Sequence, residues 1–119
     1  MNRKVSEHSH QVSLMRWAKL HERKWPELKW LHAIPNGGQR NVRVAVKLKS
    51  EGVKRGIPDV CLPVAKKGYH GLYIELKAVG GRATKEQSEF IAFALEQNYH
   101  AGVYHGWEAA KESIEWYLS

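Results

Sequence analysis

Apolar and polar residues alternate over two short stretches, Asp59-Val-Cys-Leu-Pro-Val64 and Gly71-Leu-Tyr-Ile-Glu-Leu-Lys77. Such runs predict neighbouring strands. Side chains point to opposite faces along a strand, so Glu75 and Lys77 share a face with Tyr73. Leu72, Ile74 and Leu76 turn the other way, into a core, and Val60, Leu62 and Val64 oppose Asp59. Lys66-Lys67-Gly68 predicts the hairpin turn between the runs. Upstream, Ser6 to about Lys24 predicts a helix, stopped by Trp25-Pro26 because proline disfavours helix at the residue before it. Helical spacing puts Glu7, Gln11, Leu14 and Ala18 on one stripe, polar at its N-terminal end. Trp30 to Ile34 predicts a first strand, and Pro35-Asn36-Gly37-Gly38 a turn. Asn41 to about Glu51 predicts a second helix with Val42, Ala45, Val46 and Leu48 apolar, ended at Gly52.

Beyond the flexible Gly80-Gly81-Arg82 loop, Thr84 to about Gln97 predicts a third helix, Thr84 and Gln87 being spaced as a capping box. Tyr99 to His105 predicts a fourth strand and Gly106 to Leu118 a final helix. The order is α-β-α-β-β-α-β-α. An α/β fold follows, with a mixed four-stranded sheet flanked by helices. The chain has 119 residues and 43% hydrophobic content, and is expected to form one folded domain over 1–119.

Charge changes the picture. A formal charge of +7 favours a polyanionic partner, nucleic acid first and an anionic membrane surface second. No apolar run is long enough to span a membrane, and the N-terminus has no signal-peptide pattern. Cys61 is the only cysteine, which excludes an intramolecular disulfide and suits a reducing cytoplasm. The histidines are scattered, without the compact ligand spacing of structural zinc.

Candidate chemistry sits where the two strands meet. Pro58-Asp59 precedes Glu75-Leu76-Lys77, so two carboxylates and an ammonium converge at the edge of a small sheet. A hard cation such as Mg²⁺ takes oxygen ligands and keeps several waters. Asp59, Glu75 and the Leu76 backbone carbonyl are its candidate donors. Lys77 is placed to orient a water, to stabilise charge on a phosphate, or to act as a base if burial deprotonates it. Taken alone, this short motif also describes a solvated Glu/Lys strand face after a Pro-Asp turn. Arg40, Arg43, Lys47, Lys49, Lys54 and Arg55 crowd the segment before Asp59, offset there only by Glu51. They are candidate phosphate contacts, or a solvated basic helix face.

The turn Pro35-Asn-Gly-Gly38, Arg40, Gly56-Ile-Pro-Asp59, Ile74-Glu-Leu-Lys77 and Gln87 together resemble a stand-alone VRR-NUC domain of the PD-(D/E)XK nuclease superfamily, of a kind carried by phages. The resemblance covers nearly the whole chain and implies a restriction-endonuclease-like core. It implies a metal-dependent DNA endonuclease using Mg²⁺ or Mn²⁺, a homodimer acting on branched DNA such as four-way junctions, in the cytoplasm of a bacterial host. It gives Asp59, Glu75, Lys77 and Gln87 catalytic roles and makes Glu7 a further metal ligand. The residues allow other readings for two of these. Glu7 also suits a helix dipole, and Gln87 also suits a capping box. The rival functions are a catalytically silent DNA-binding module on the same fold and an enzyme of small phosphorylated metabolites. The latter lacks a phosphate-cradling loop or dinucleotide fingerprint. Trp17, Trp25, Trp107 and Trp116 are more than so small a core is expected to bury, which predicts an oligomer interface.

Overall fold

The computed structural model describes residues 5–36 and 41–119. Eight main elements follow the expected order: α1 Glu7–Leu20, β1 His32–Ala33, α2 Val42–Ser50, β2 Val60–Leu62, β3 Leu72–Lys77, α3 Lys85–Glu96, β4 His100–His105 and α4 Trp107–Leu118. A 3-10 helix over Pro26–Trp30 leads into β1. The sheet runs β1-β2-β3-β4. β1 and β2 are antiparallel, as are β2 and β3, whereas β3 and β4 are parallel. The parallel pair needs a crossover, and α3 supplies it. Among the described residues no helix is long and apolar enough to cross a membrane.

The strand pattern fixes the two faces. Leu72, Ile74 and Leu76 of β3 are buried with Val60 and Leu62 of β2. α1 and α4 cover them with Leu14, Trp17, Ala18, Ala110, Ile114 and Tyr117. The Tyr117 hydroxyl donates to the Val64 carbonyl at 2.6 Å, which satisfies its polar tip. α1 is started by Ser6, whose hydroxyl accepts from the Ser9 amide. It is tied to α4 by His10, whose Nδ1 accepts the Trp107 amide at 3.1 Å. Gly106 at the N-cap of α4 has no side chain to do this and takes φ +96°, so His10 caps α4 from another helix.

Several expectations change. α1 ends at Leu20, four residues early, with a turn over 21–24. The first strand shrinks to two residues, with a 3-10 helix over Pro26–Trp30 taking its first expected residue, Trp30. β2 is three residues long, with Pro63 unable to donate to the ladder. The Lys66–Tyr69 turn forms as expected, with Lys67 and Gly68 both at positive φ. Three of the four tryptophans expected at an interface belong to the core. Trp17 is buried, and Trp25 and Trp107 pack against the core half-buried. Trp116 is 49% exposed, as is Trp30 at 59%. α2 buries none of its residues, leaving Val42 and Val46 outside.

Ile74 is fully buried at the centre of the sheet. Ile74→Ala is expected to cost about 2–5 kcal/mol by cavity formation. Leu20→Ala, on an exposed helix end, is expected to stay within about 0.5 kcal/mol. Urea denaturation of both variants checks the pair.

Candidate active site

β2 and β3 pair so that Val60 faces Ile74, which sets Asp59 beside Glu75. Asp59 is held from two sides. Its Oδ2 accepts the Leu76 amide at 2.8 Å, and its Oδ1 accepts Nδ2 of Asn36 at 3.0 Å. The β1 end supplies Asn36 because the Ile34 amide donates to the Asp59 carbonyl. Glu75 is 1% exposed and Lys77 6%. Glu75 Oε2 accepts from Gln87 Nε2 at 3.2 Å and lies 3.6 Å from Lys77 Nζ. Glu75 Oε1 is buried without a hydrogen-bond partner.

Gln87 is both the capping residue of α3 and a hydrogen-bond partner of Glu75. Its Oε1 accepts the Thr84 amide at 2.8 Å while Thr84 Oγ1 accepts the Gln87 amide, completing the capping box of α3. Its Nε2 is then aimed at Glu75. The first turn of α3 is pressed against Gly56, at φ +88°, where an added Cβ would lie 2.7 Å from Glu86 Cβ. Only glycine fits so close an approach in that conformation.

A cavity of about 340 Å³ opens over these groups, with Glu7, Asn36, Arg55, Asp59, Glu75 and Gln87 in its wall. Glu7 is half exposed and reaches Lys77 Nζ at 3.9 Å. It joins the cavity but not a compact ligand set. Among the described residues no three His, Cys, Asp or Glu side chains are grouped to cage an ion. A magnesium-type site needs less, one or two carboxylates with waters and substrate oxygens. The paired Asp59 and Glu75 carboxylates and the orphaned Oε1 match that requirement. In an antiparallel ladder a residue turns its N–H and C=O to the same neighbour, so the Leu76 carbonyl faces the Asp59 side with its amide.

Of the expected phosphate contacts, Arg43, Lys47 and Lys49 are exposed on α2, and Lys54 and Arg55 follow it. None of the five forms an ion pair among the described residues. Arg55 alone of them lines the cavity. Arg40, with Gly37 and Gly38 of the expected turn, lies outside the described residues.

The VRR-NUC domain model matches residues 5–108. The chain belongs to the VRR-NUC domain family. A solved structure described as a "VRR_NUC domain protein" is 32% identical, covers 98% of this chain and 90% of its own, and superposes with a TM-score of 0.82. A comparison with curated protein sequences returns no significant match. As a VRR-NUC domain the chain is of the nuclease type, with DNA as its partner.

Electrostatics in the VRR-NUC site centre on Glu75. Burial first, and then the neighbouring Asp59 carboxylate, push its carboxyl up to about 8, while Lys77 pulls it down. As an anion it leaves Oε1 unpaired, whereas as an acid it can share its proton with Asp59. The folded protein therefore holds this proton longer than the unfolded chain does. The associated stability is full below pH 4.5 and is lost as pH rises toward about 8. Denaturation of the metal-free protein at pH 5, 7 and 9 is expected to show that decline. Glu75→Gln should flatten it and be the more stable form at pH 9.

Proposed function

We propose that this VRR-NUC domain is a metal-dependent endonuclease of the PD-(D/E)XK type that hydrolyses DNA phosphodiester bonds. The observation that carries the reading is half-buried Asp59 beside buried Glu75 in the wall of an open cavity, with Lys77 buried against Glu75 and one Glu75 oxygen unpartnered. A carboxylate pair this deep is costly without a cation or a proton to offset it.

Asp59, Glu75 and the Leu76 carbonyl would hold the cation, Mg²⁺ or Mn²⁺. When bound, the cation polarises the phosphate and lowers the pKa of a water. The protein's own groups prepare the rest. Asn36 and the Leu76 amide fix Asp59, and Gln87 fixes Oε2 of Glu75, leaving Oε1 without a protein partner. Lys77 is a point charge beside the attacked phosphate and is placed to orient the water. The water oxygen bonds to phosphorus as the P–O bond to the sugar oxygen opposite it breaks; the attacking water gives up a proton to solvent, and the departing sugar oxygen takes one from solvent. Glu7 supplies a second carboxylate to Lys77 and, from the cavity wall, would be the further ligand of the cation. Arg43, Lys47, Lys49, Lys54 and Arg55 engage flanking phosphates, a role that positions DNA without reading sequence; Arg40 is assigned with them.

A homodimer acting on branched DNA such as four-way junctions extends the reading. A two-fold pair of sites would cut opposing strands symmetrically. The exposed Trp116 and the bare apolar side of α2 offer surface for a second copy. A phage-borne protein working in a bacterial cytoplasm fits the lone, half-buried thiol of Cys61.

Linear duplex, flap and four-way-junction DNA incubated with Mg²⁺, Mn²⁺ or EDTA form the test. Cleavage is expected only with metal, with paired cuts in the junction. Asp59→Asn, Glu75→Gln and Lys77→Ala should each lower the rate by about 10³-fold while remaining folded. Equal cutting of all three substrates would discard the junction preference. Metal-independent cutting, or binding without cutting by the folded wild type, would discard the mechanism.

A further inference from the structure

The face of β3 that carries Glu75 and Lys77 also carries Tyr73, two residues away, roughly 7 Å along the strand. Across the sheet at that level stand His32, Cys61, Tyr73 and Ala101 in register. α3 covers one end of this row. Beyond its first turn, where Gln87 meets Glu75, it presents Phe90 and then Phe93. The Phe90 ring meets the Tyr73 ring edge-on, with centroids 5.1 Å apart at 83°. Tyr99 lies 5.3 Å from Tyr73 on the other side. These aromatics line a groove of about 420 Å³ together with His70 and Gln97. Phe93 at its rim is 56% exposed, an uncovered aromatic surface that the fold itself does not use.

We propose that this groove holds an unstacked nucleobase of the DNA strand being cut, next to the scissile phosphate. The inference rests on the DNA-nuclease reading above. Three features favour a base. The groove continues the active-site wall along the same strand face and the same helix flank, so a strand in the site passes over it. It is lined by aromatic rings and by no Lys, Arg, Asp or Glu, so it offers a phosphate nothing but offers every base a stacking surface. At its edges Gln97, His70 and the Tyr99 hydroxyl are hydrogen-bonding groups suited to base edges. Arg55 stands in the wall of the carboxylate cavity, and none of the α2 cations lines the aromatic groove, so backbone and base are received by different surfaces. Such a site would favour DNA with unpaired nucleotides at a branch, where the cost of unstacking is already met.

The test is binding in EDTA, by fluorescence anisotropy, of a flap oligonucleotide in which one abasic nucleotide is walked through the positions flanking the cut. Wild type, Phe93→Ala, Phe93→Trp and Phe90→Leu are compared. Removing one stacking partner is expected to weaken binding by about tenfold. One abasic position should weaken wild type by this amount and Phe93→Ala no further, with Phe93→Trp restoring the wild-type pattern. Because Phe93 is exposed, its loss leaves the core intact, and Phe90→Leu repeats the measurement at the groove floor. Unchanged affinity in both Phe93→Ala and Phe90→Leu overturns the inference. So do losses that add to the abasic effect at every position, and so does a fall from dimer to monomer in sedimentation without coupling to any base, which gives the groove to a second copy. Failure of the wild type to bind any DNA instead overturns the nuclease reading and the inference with it.

Discussion

The burial of Glu75 and Lys77 on the central strand is the constraint from which the rest of the molecule follows. Both side chains project from the face of β3 opposite the main core, yet neither reaches bulk water. Ionisable groups are tolerated there only if paired or hydrogen-bonded. The fold brings in partners from four other elements to meet that demand. β2 delivers Asp59, the end of β1 delivers Asn36 to hold it, α3 delivers Gln87, and α1 delivers Glu7. One carboxylate oxygen, Oε1 of Glu75, is left over. That residual cost is one that a proton or a cation can relieve.

Helix α3 shows how tightly structure and site are joined. A single glutamine amide closes the helix start with its oxygen and steadies Glu75 with its nitrogen. The competing readings of Gln87, a cap or a site residue, are two ends of one side chain. Strain and crowding follow the same economy at Gly56, whose positive φ lets the loop before Asp59 lie against the first turn of α3.

Strand alternation made the central part of this legible in the sequence. A period of two is enough to put Glu75 and Lys77 on one face and Leu72, Ile74 and Leu76 on the other, and a short antiparallel pairing then brings Asp59 alongside. The order of elements was legible for a related reason, because most periodic runs are bounded on one side or both by proline or glycine. Less visible were groups whose partners are distant in the chain. Asn36 reads as a turn residue, and only the pairing of β1 with β2 turns it toward Asp59. His10 reads as one polar residue on a helix, and nothing local reveals that it caps α4. The tryptophans misled because counting rings ignores where they lie. Trp17 lies in the core, and Trp25 and Trp107 pack half-buried against it. The apolar pattern of α2 correctly gives a helix, but amphipathicity does not say that a chain's own core will cover it.

The His10–Trp107 bond spans 97 residues of chain. It seats the helix that carries Glu7, while Asp59 depends on partners 23 and 17 residues away. Contacts of such sequence separation close late, after the loops between them have been ordered. During synthesis, therefore, Asp59, Glu75 and Lys77 are all made well before the residues that bring α1 onto the sheet. Assembly of this polar group is thus deferred until the fold has closed on itself, and a nascent or half-unfolded chain carries its residues without the pocket they form.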